Sequence, residues 1–410
     1  MSRFFLCTLL FLSFTVSASE LLGLKSGHLK GQYLVGSYPD DSLYRELIGT
    51  PSHDLNGDLR LLIDGGKSQW SWQADYQMIY RSGDTLELSR LLAGNFAIPS
   101  DQYRLMDLTH VISDDEDSVW VHRLDRLYVG FTGEKAVVRV GRQAVSWGNG
   151  LIYNPVDFFN PFDPAAVDKE YKSGDDMVYG QYLMDSGNDW QAVSVWRRDQ
   201  DGHTGNAVNT NAVKYHAFVG EQELDLLLAQ HFEDDIFAVG GISSWGGAIV
   251  RGDIMLTRTD IDTYFSAVAN LSYSWNWGGK NMSGIVEYFY NGFGLSEDNY
   301  DRLPQEHDLT DRLLRNELFT IGKHYLAGGI TIEVSPLFNI TPNAFVNLGD
   351  GSGLAQLVAQ YDLKQDWLLL MALNIPWGAN GTEFGGLESG VEGLRFSSGP
   401  GLFTQLAFYF

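Results

Sequence analysis

The chain has 410 residues and carries 28 Lys and Arg against 52 Asp and Glu, a formal net charge of -24 that argues against nucleic acid as a partner. Hydrophobic residues make up 44%, which rules out a disordered chain, and 13% of residues are aromatic. One Cys against 45 Gly argues against a disulfide scaffold, a helical repeat and a Cys-rich zinc or iron–sulfur protein.

Arg3 gives a positive start, residues 4–14 an apolar stretch broken only by Cys7, Thr8 and Ser13, and Val16-Ser17-Ala18 a small-residue cleavage site. Residues 1–18 are therefore expected to be a secretory signal, with an uncleaved anchor as the alternative, and residues 19–410 a single domain. Nothing after Ala18 supplies about 18 consecutive apolar residues, so no transmembrane helix is expected.

The rest alternates with period two. Over residues 69–81, Trp70, Trp72, Ala74, Tyr76, Met78 and Tyr80 share one face, with Gln73, Asp75, Gln77 and Arg81 on the other. Residues 263–277 repeat this, setting Phe265, Ala267, Ala269, Leu271 and Tyr273 against Ser266, Asn270, Ser272 and Ser274. A helix would space its apolar residues by three and four. Strands of about a dozen residues are long enough to cross a bilayer at a barrel's tilt.

In chain order the pattern predicts strands over 27–37, 54–64, 69–81, 119–131, 136–147, 177–184, 190–197, 209–219, 223–232, 236–243, 248–258, 263–277, 282–294, 321–334, 337–348, 352–361, 367–375 and 401–410. That is 18, with 16 as the alternative, since strand ends read from sequence carry about two to four residues of slack. Tight turns such as 65–68, 132–135, 244–247 and 278–281 take turns with long stretches such as 82–118, 148–176, 295–317 and 376–400. The expected fold is all-β: a transmembrane antiparallel β-barrel with short periplasmic turns and long outer loops. Trp70, Trp190, Trp245, Trp277 and Trp367 lie in or beside the short turns, as an interfacial aromatic girdle requires. The last strand sets Leu406, Phe408 and Phe410 on one face. This ending resembles the closing-strand signal of bacterial outer-membrane barrels, which implies the outer membrane as location and the barrel assembly machinery as a partner through Phe408 and Phe410.

Charged residues inside such strands report the lumen, because lipid-facing positions hold charge only at high cost; Arg60, Asp75, Arg139 and Glu287 are of this kind. A barrel of about 18 strands is too wide for side chains alone to fill, so the lumen is expected to be a water-filled or loop-plugged channel. In the hairpin 124–147, pairing Phe131 with Ala136 sets Val129 opposite Val138, Leu127 opposite Val140 and Asp125 opposite Arg142. Leu127, Val129, Phe131, Ala136, Val138 and Val140 then face lipid, while His122, Arg126, Tyr128, Arg139, Gly141 and Gln143 face inward. Asp125 and Arg142 are expected to form an ion pair toward the outer rim. The inward basic patch could hold a carboxylate or phosphate through forked guanidinium donors, or pair with lumen and loop carboxylates.

The hairpin runs into Gly141-Arg142-Gln143-Ala144-Val145-Ser146-Trp147-Gly148-Asn149-Gly150, then Asn154-Pro155-Val156-Asp157-Phe158-Phe159-Asn160-Pro161-Phe162. This resembles porin-like outer-membrane families, of the alginate-export or uncharacterised porin type, that carry a Gly-Arg-Gln…Trp-Gly segment before an Asn-Pro-rich loop. The resemblance covers this motif and the general architecture; it implies a channel or export barrel and fixes no substrate. Asp157, Phe158, Phe159 and Phe162 belong to a loop too apolar to sit in water, so it is expected to fold into or over the pore mouth as a constriction, with packing on neighbouring outer loops as the alternative.

Asp54-Leu55-Asn56-Gly57-Asp58 opens like a calcium loop, but Leu59 and Gly65 stand where Gly and Glu are needed, so it reads as strand alternation. The acidic run 114–117 reads as a solvated outer loop, with divalent-cation binding as the alternative. No H-E-x-x-H, P-loop or dinucleotide motif occurs, and no catalytic residue, metal or cofactor is expected. The expected function is therefore an outer-membrane channel, not an enzyme, for passive or weakly selective passage of small hydrophilic solutes, in contact with outer-membrane lipid and lipopolysaccharide. Candidate pore-lining residues are Arg126, Arg139, His122, Tyr128, Gln143, Asp75 and Glu287. The alternatives are a polysaccharide-export barrel, which needs a continuous basic track, a structural or adhesive barrel, and an outer-membrane hydrolase.

Overall fold

A computed structural model describes residues 23–92 and 98–410, so the expected signal lies outside the described residues. The elements, in chain order, are β1 (Leu24–Gly36), α1 (Leu43–Ile48), β2 (Ser52–Lys67), β3 (Trp70–Gly83), α2 (Asp84–Leu91), β4 (Thr109–Asp115), β5 (Ser118–Thr132), β6 (Ala136–Gln143), β7 (Asp175–Leu183), β8 (Asp189–Val195), β9 (Thr210–Val219) and β10 (Gln222–His231). There follow β11 (Asp234–Trp245), β12 (Ala248–Arg258), β13 (Thr263–Trp277), β14 (Lys280–Tyr290), α3 (His307–Leu314), β15 (His324–Ser335), β16 (Phe338–Asn347), β17 (Gly353–Lys364), β18 (Trp367–Trp377), β19 (Leu387–Glu388), β20 (Arg395–Phe396) and β21 (Gly401–Tyr409).

Apart from the β19–β20 hairpin, every strand joins one antiparallel sheet. β1 pairs with both β2 and β21, which closes the sheet on itself. β4 is a short addition: it takes the edge of β5 over residues 118–123, while β6 takes the same edge over residues 127–132. The closed wall therefore has eighteen strands, β1–β3, β5–β18 and β21. Each of the eighteen spans predicted from alternation falls on one of them, and two, 248–258 and 263–277, share the bounds of β12 and β13. No helix among the described residues is long and apolar enough to cross a membrane.

The alternation has its expected cause. Leu29, Tyr33, Leu55, Val129, Leu228 and Ile254 stand exposed on the outside, while their neighbours His28, Lys30, Asp54, Asp253 and Leu227 are buried inside. An apolar exterior of this extent is stable only against hydrocarbon. At the short-turn rim Trp245 is 76% and Trp277 73% exposed, as a girdle in the interface would be. Both ends of the described wall meet at this rim, where Gly27 and Phe410 exchange main-chain bonds of 2.8 and 3.0 Å.

The β5–β6 hairpin departs from the expected register. Phe131 pairs with Val138, Val129 with Val140 and Leu127 with Arg142, a slide of two residues that keeps the lipid face and removes the Asp125–Arg142 pair. Asp125 instead forms a β-bulge: Arg126 pairs with Asp75 and Leu124 with Tyr76, and Asp125 has no partner on β3. A bulge inserts one residue and reverses the alternation beyond it. Asp125 and Arg126 both point inward, as do Arg123 and the buried Val121 and Val119. His122 turns outward, with its ring 5.9 Å from Tyr76 and 5.7 Å from His110. His122 is thus not a lumen residue. The acidic run is likewise not wholly a loop, since Asp114 and Asp115 end β4 and Arg90 pairs with Asp114.

Candidate functional site

The candidate site is the lumen and the loop that crosses it, residues 144–174 between β6 and β7. Two residues before β6 ends, Gly141 lets the strand press against β5: its φ is +126°, and a Cβ there would meet the Leu127 carbonyl oxygen at 2.2 Å. Once inside, the loop buries Trp147, Val156, Phe158 and Phe159 against Met177, Val193, Val195, Leu227, Ile236 and Met255. These wall residues occupy inward positions of β7, β8 and β10–β12, so one half of the interior is apolar because the loop covers it. Burying each such large side chain contributes about 1.5–3 kcal/mol. Phe162 is only half-buried and lies outside this cluster.

Polar contacts set the loop's position at both sides of the lumen. On β14 the Glu287 carboxylate accepts from the main-chain N of Leu151 (2.7 Å), Ile152 (3.0 Å) and Tyr153 (2.5 Å). Asn270 on β13 donates to the same carboxylate and to the Asn149 carbonyl, each at 3.0 Å. Across the barrel, Lys30 on β1 pairs with Asp168 (2.7 Å) and Glu170 (2.6 Å), and Gln356 on β17 donates to the Ala165 carbonyl at 2.8 Å. The Arg60 guanidinium on β2 sits 4.3 Å from the Tyr171 ring centroid, and Tyr409 on β21 donates to Glu170 at 3.1 Å. Near the way out, Lys172 donates to Asp157, to the Val145 carbonyl (2.7 Å) and to Ser146 Oγ (3.0 Å), while Arg126 holds the Lys172 carbonyl.

Outer loops fasten the arrangement from the long-loop end. His231 Nε2 bonds Glu317 at 2.9 Å and its ring lies 4.8 Å from Phe158, which ties the segment after α3 to the loop's aromatic half. Burial opposes ionisation of Glu317, but His231 and Arg315 hold its carboxyl down at about 2. The segment between β18 and β21 contributes Glu383, which accepts from Ile321 N (2.9 Å), Tyr325 Oη (2.7 Å) and Asn347 Nδ2 (2.8 Å). With no cation paired to it among the described residues, burial pushes this carboxyl up to about 7. The stacked rings of Tyr153 and Phe289, 5.1 Å apart, join that cluster to the inward loop through Tyr325.

The wall of β1–β6 is cationic and, with few exceptions, neutralised. Asp125 gathers Arg60 (2.8 Å), Arg126 (2.7 Å) and Arg123 (3.3 Å), and His28 bonds Asp58 at 2.9 Å. Arg142 leaves this group altogether. It is 1% exposed and binds Asp101 (2.7 Å) and Asp176 (2.9 Å), clamping residues 101–106 to the wall where β6 ends. Arg139 differs from all of these: it is exposed in the lumen, its Cζ lies 5.7 Å from the Tyr128 ring and 5.8 Å from the Tyr179 ring, and it has no ion-pair partner among the described residues.

Of the candidate pore-lining residues, Arg126, Arg139 and Tyr128 face the lumen, with Tyr128 Oη donating to Gln73 at 2.7 Å. Asp75, Gln143 and Glu287 point inward but are buried at 2, 3 and 0% exposure, so they meet protein instead of water. Sequence reasoning missed Asp253, Lys172 and Lys30 as loop anchors. Asp253 and Lys30 stood at inward positions of predicted strands, but nothing in the sequence pointed to their partners in the loop. Asp199, Asp201 and His203 are the one group of metal-ligand type among the described residues. They sit on a turn that is largely exposed, where Asp199 already accepts from the main-chain N of Asp201 and His203.

No family model matches the sequence, and no curated protein does. Solved structures match the fold. OccAB4 of Acinetobacter baumannii aligns with a TM-score of 0.51 at 8% identity, covering 94% of this chain and 97% of that one. A BenF-like porin of Pseudomonas fluorescens Pf-5 gives 0.50 at 10% identity, over 94% and 97% of the two chains. OpdK of Pseudomonas aeruginosa, solved with vanillate, gives 0.51 at 10% identity over the same shares. The fold is that of an outer-membrane porin barrel.

Proposed function

We propose that the chain is a bacterial outer-membrane channel for small hydrophilic solutes, narrowed by the loop 144–174 and favouring solutes with an acidic group. The carrying observation is that loop: it reaches from Glu287 and Asn270 on one side to Lys30 and Gln356 on the other, inside a wall too wide for side chains to fill. Phe158 and Phe159 act from within it as the apolar brace of the constriction, and Asp157 as the partner of Lys172. Arg139, open to water and flanked by Tyr128 and Tyr179, is the anchor for the solute's anionic group.

An export barrel of alginate type is the second reading. It needs a continuous track of free cations, whereas Lys30, Arg60, Arg123 and Arg126 are each paired with a carboxylate, which favours the solute channel. In the membrane, the exposed apolar belt meets lipid and, in the outer leaflet, lipopolysaccharide, and Phe408 on β21 with Phe410 just after it meets the assembly machinery.

Planar-bilayer recording of the purified protein tests this. Stepwise conductance that rises when residues 156–164 are deleted, and block by an aromatic carboxylate such as vanillate that weakens in Arg139→Ala, are the expected results. A protein that inserts and passes no current overturns the channel.

A further inference from the structure

Below the inward loop, the wall opposite in character to the cationic one is nearly uncharged. We infer that the lumen face of β13–β16 toward the short-turn rim is a second solute subsite, built for neutral polyhydroxylated molecules of sugar or polyol type. It rests on the channel reading, since its ligand arrives through the lumen.

Four successive strands place hydroxyls and amides in two rows. In one, Ser274 pairs in register with Ser283, Ser283 with Thr331, and Thr331 Oγ1 lies 3.1 Å from Thr341 Oγ1. In the next, Asn276 pairs with Asn281, Asn281 Nδ2 donates to Glu333 Oε2 at 2.8 Å, and Glu333 pairs with Asn339. All of these but Thr341, together with Trp275 and Met282, line a concave bay of about 510 Å³, within the size range of small-molecule sites. Glu333 is the one charged side chain in the bay, and Asn281 engages it.

The side chains of Ser274, Ser283 and Asn339 have no hydrogen-bond partner among the described residues, so their donors and acceptors face the lumen unused. A hydroxyl both donates and accepts, as does an amide, so such a lattice exchanges water for a ligand rich in hydroxyls without loss of bonds. An anionic solute finds no cation to pair with there, and Glu333 opposes it. The repeat of the sheet, about 4.8 Å between strands and about 6.8 Å between residues on one face, presents these groups at regular intervals, as a chain of hydroxyls requires. In a protein with a net charge of -24, a bay of seven polar side chains with one carboxylate is a departure from its surroundings.

The test is block of single-channel current by sucrose, set against a polyethylene glycol of matched hydrodynamic size. In the unmodified protein, sucrose is expected to interrupt the current for longer than the polymer. In Ser283→Ala/Asn339→Ala its dissociation constant should rise about tenfold, the loss of two neutral hydrogen bonds. Arg139→Ala should leave sucrose block unchanged. Equal block by sucrose and polymer, or an unchanged constant in the double variant, overturns the subsite while leaving the channel intact. If no current flows at all, the channel reading falls. Saturation-transfer NMR of sucrose with the detergent-solubilised barrel then reads the same bay: transfer lost in the double variant supports it, and no transfer overturns it.

Discussion

Asp253 holds Asn149 twice, accepting from its main-chain N at 2.5 Å and from its Nδ2 at 2.7 Å. The wall makes room for this clamp with Gly240, where a Cβ would lie 1.9 Å from Asp253 Oδ1 and 2.6 Å from Asn149 Nδ2. With Glu287 on the loop's next residues, two wall carboxylates fix the inward loop through its backbone.

Glu287→Gln and Asp253→Asn should therefore loosen the loop without unfolding the barrel. Each removes charge-assisted hydrogen bonds of about 1.5–3 kcal/mol. Larger, noisier single-channel conductance is the expected readout, and Gly240→Ala should reproduce it by steric displacement alone. Conductance unchanged in all three would overturn the proposed role of the loop as a constriction held by these carboxylates.

Arg139 and Arg126 should part company on mutation. Arg139→Ala removes a cation with no carboxylate partner, so reversal potentials in a salt gradient should shift toward cation preference with the folded barrel unchanged. Arg126→Ala strips Asp125 and the Lys172 carbonyl of a donor while Arg60 and Arg123 still neutralise Asp125, so its cost falls on stability, at about 1.5–3 kcal/mol per charge-assisted hydrogen bond lost. Heat-dependent gel mobility and reversal potential, measured on both, separate the two effects.

Phe159, at 1% exposure, is the most buried ring of the inward loop, and Phe159→Ala should cost about 3–5 kcal/mol. Phe162→Ala, outside the cluster, should cost far less. A lowered midpoint of thermal unfolding in the first variant alone is the outcome that fits.

Glu383 makes the outer-loop cluster sensitive to pH. Its folded pKa of about 7 lies above its ordinary 4.5, so the proton binds more tightly with the loop docked. The stabilisation is fully present below 4.5 and is lost as pH rises through 7. Glu317 has the opposite sign: held at about 2, it contributes above 4.5 and fails only as pH falls through 2. Between pH 4.5 and 7 the contribution of Glu317 is constant and only that of Glu383 changes, so loop-driven current noise should grow toward neutral pH in the unmodified protein and stay flat in Glu383→Gln. Identical noise profiles would refute the assignment.

The wall was legible because hydrocarbon imposes one rule on every strand, and residues such as Phe265, Ala267 and Leu271 obey it without interruption. The bulge at Asp125 was not, because the extra residue leaves good alternation on either side and only the partner strand reveals the change of face. β4 escaped for a related reason: Thr109–Asp115 is polar and only caps the edge left by β6. The apolarity of 155–162 announced that the loop must be covered, but the residues that cover it, from Met177 to Met255, lie on inward positions of strands that alternation alone marks as wet.

Lys30 and Tyr409 belong to the first and last strands of the cylinder, and both grip the far end of the inward loop at Glu170. Sealing the tube and seating its inward loop are thus two halves of one act of assembly. A chain whose inward loop strayed would arrive at its final seam with a lysine ammonium buried and unneutralised, a built-in penalty against closing the cylinder around an unseated loop.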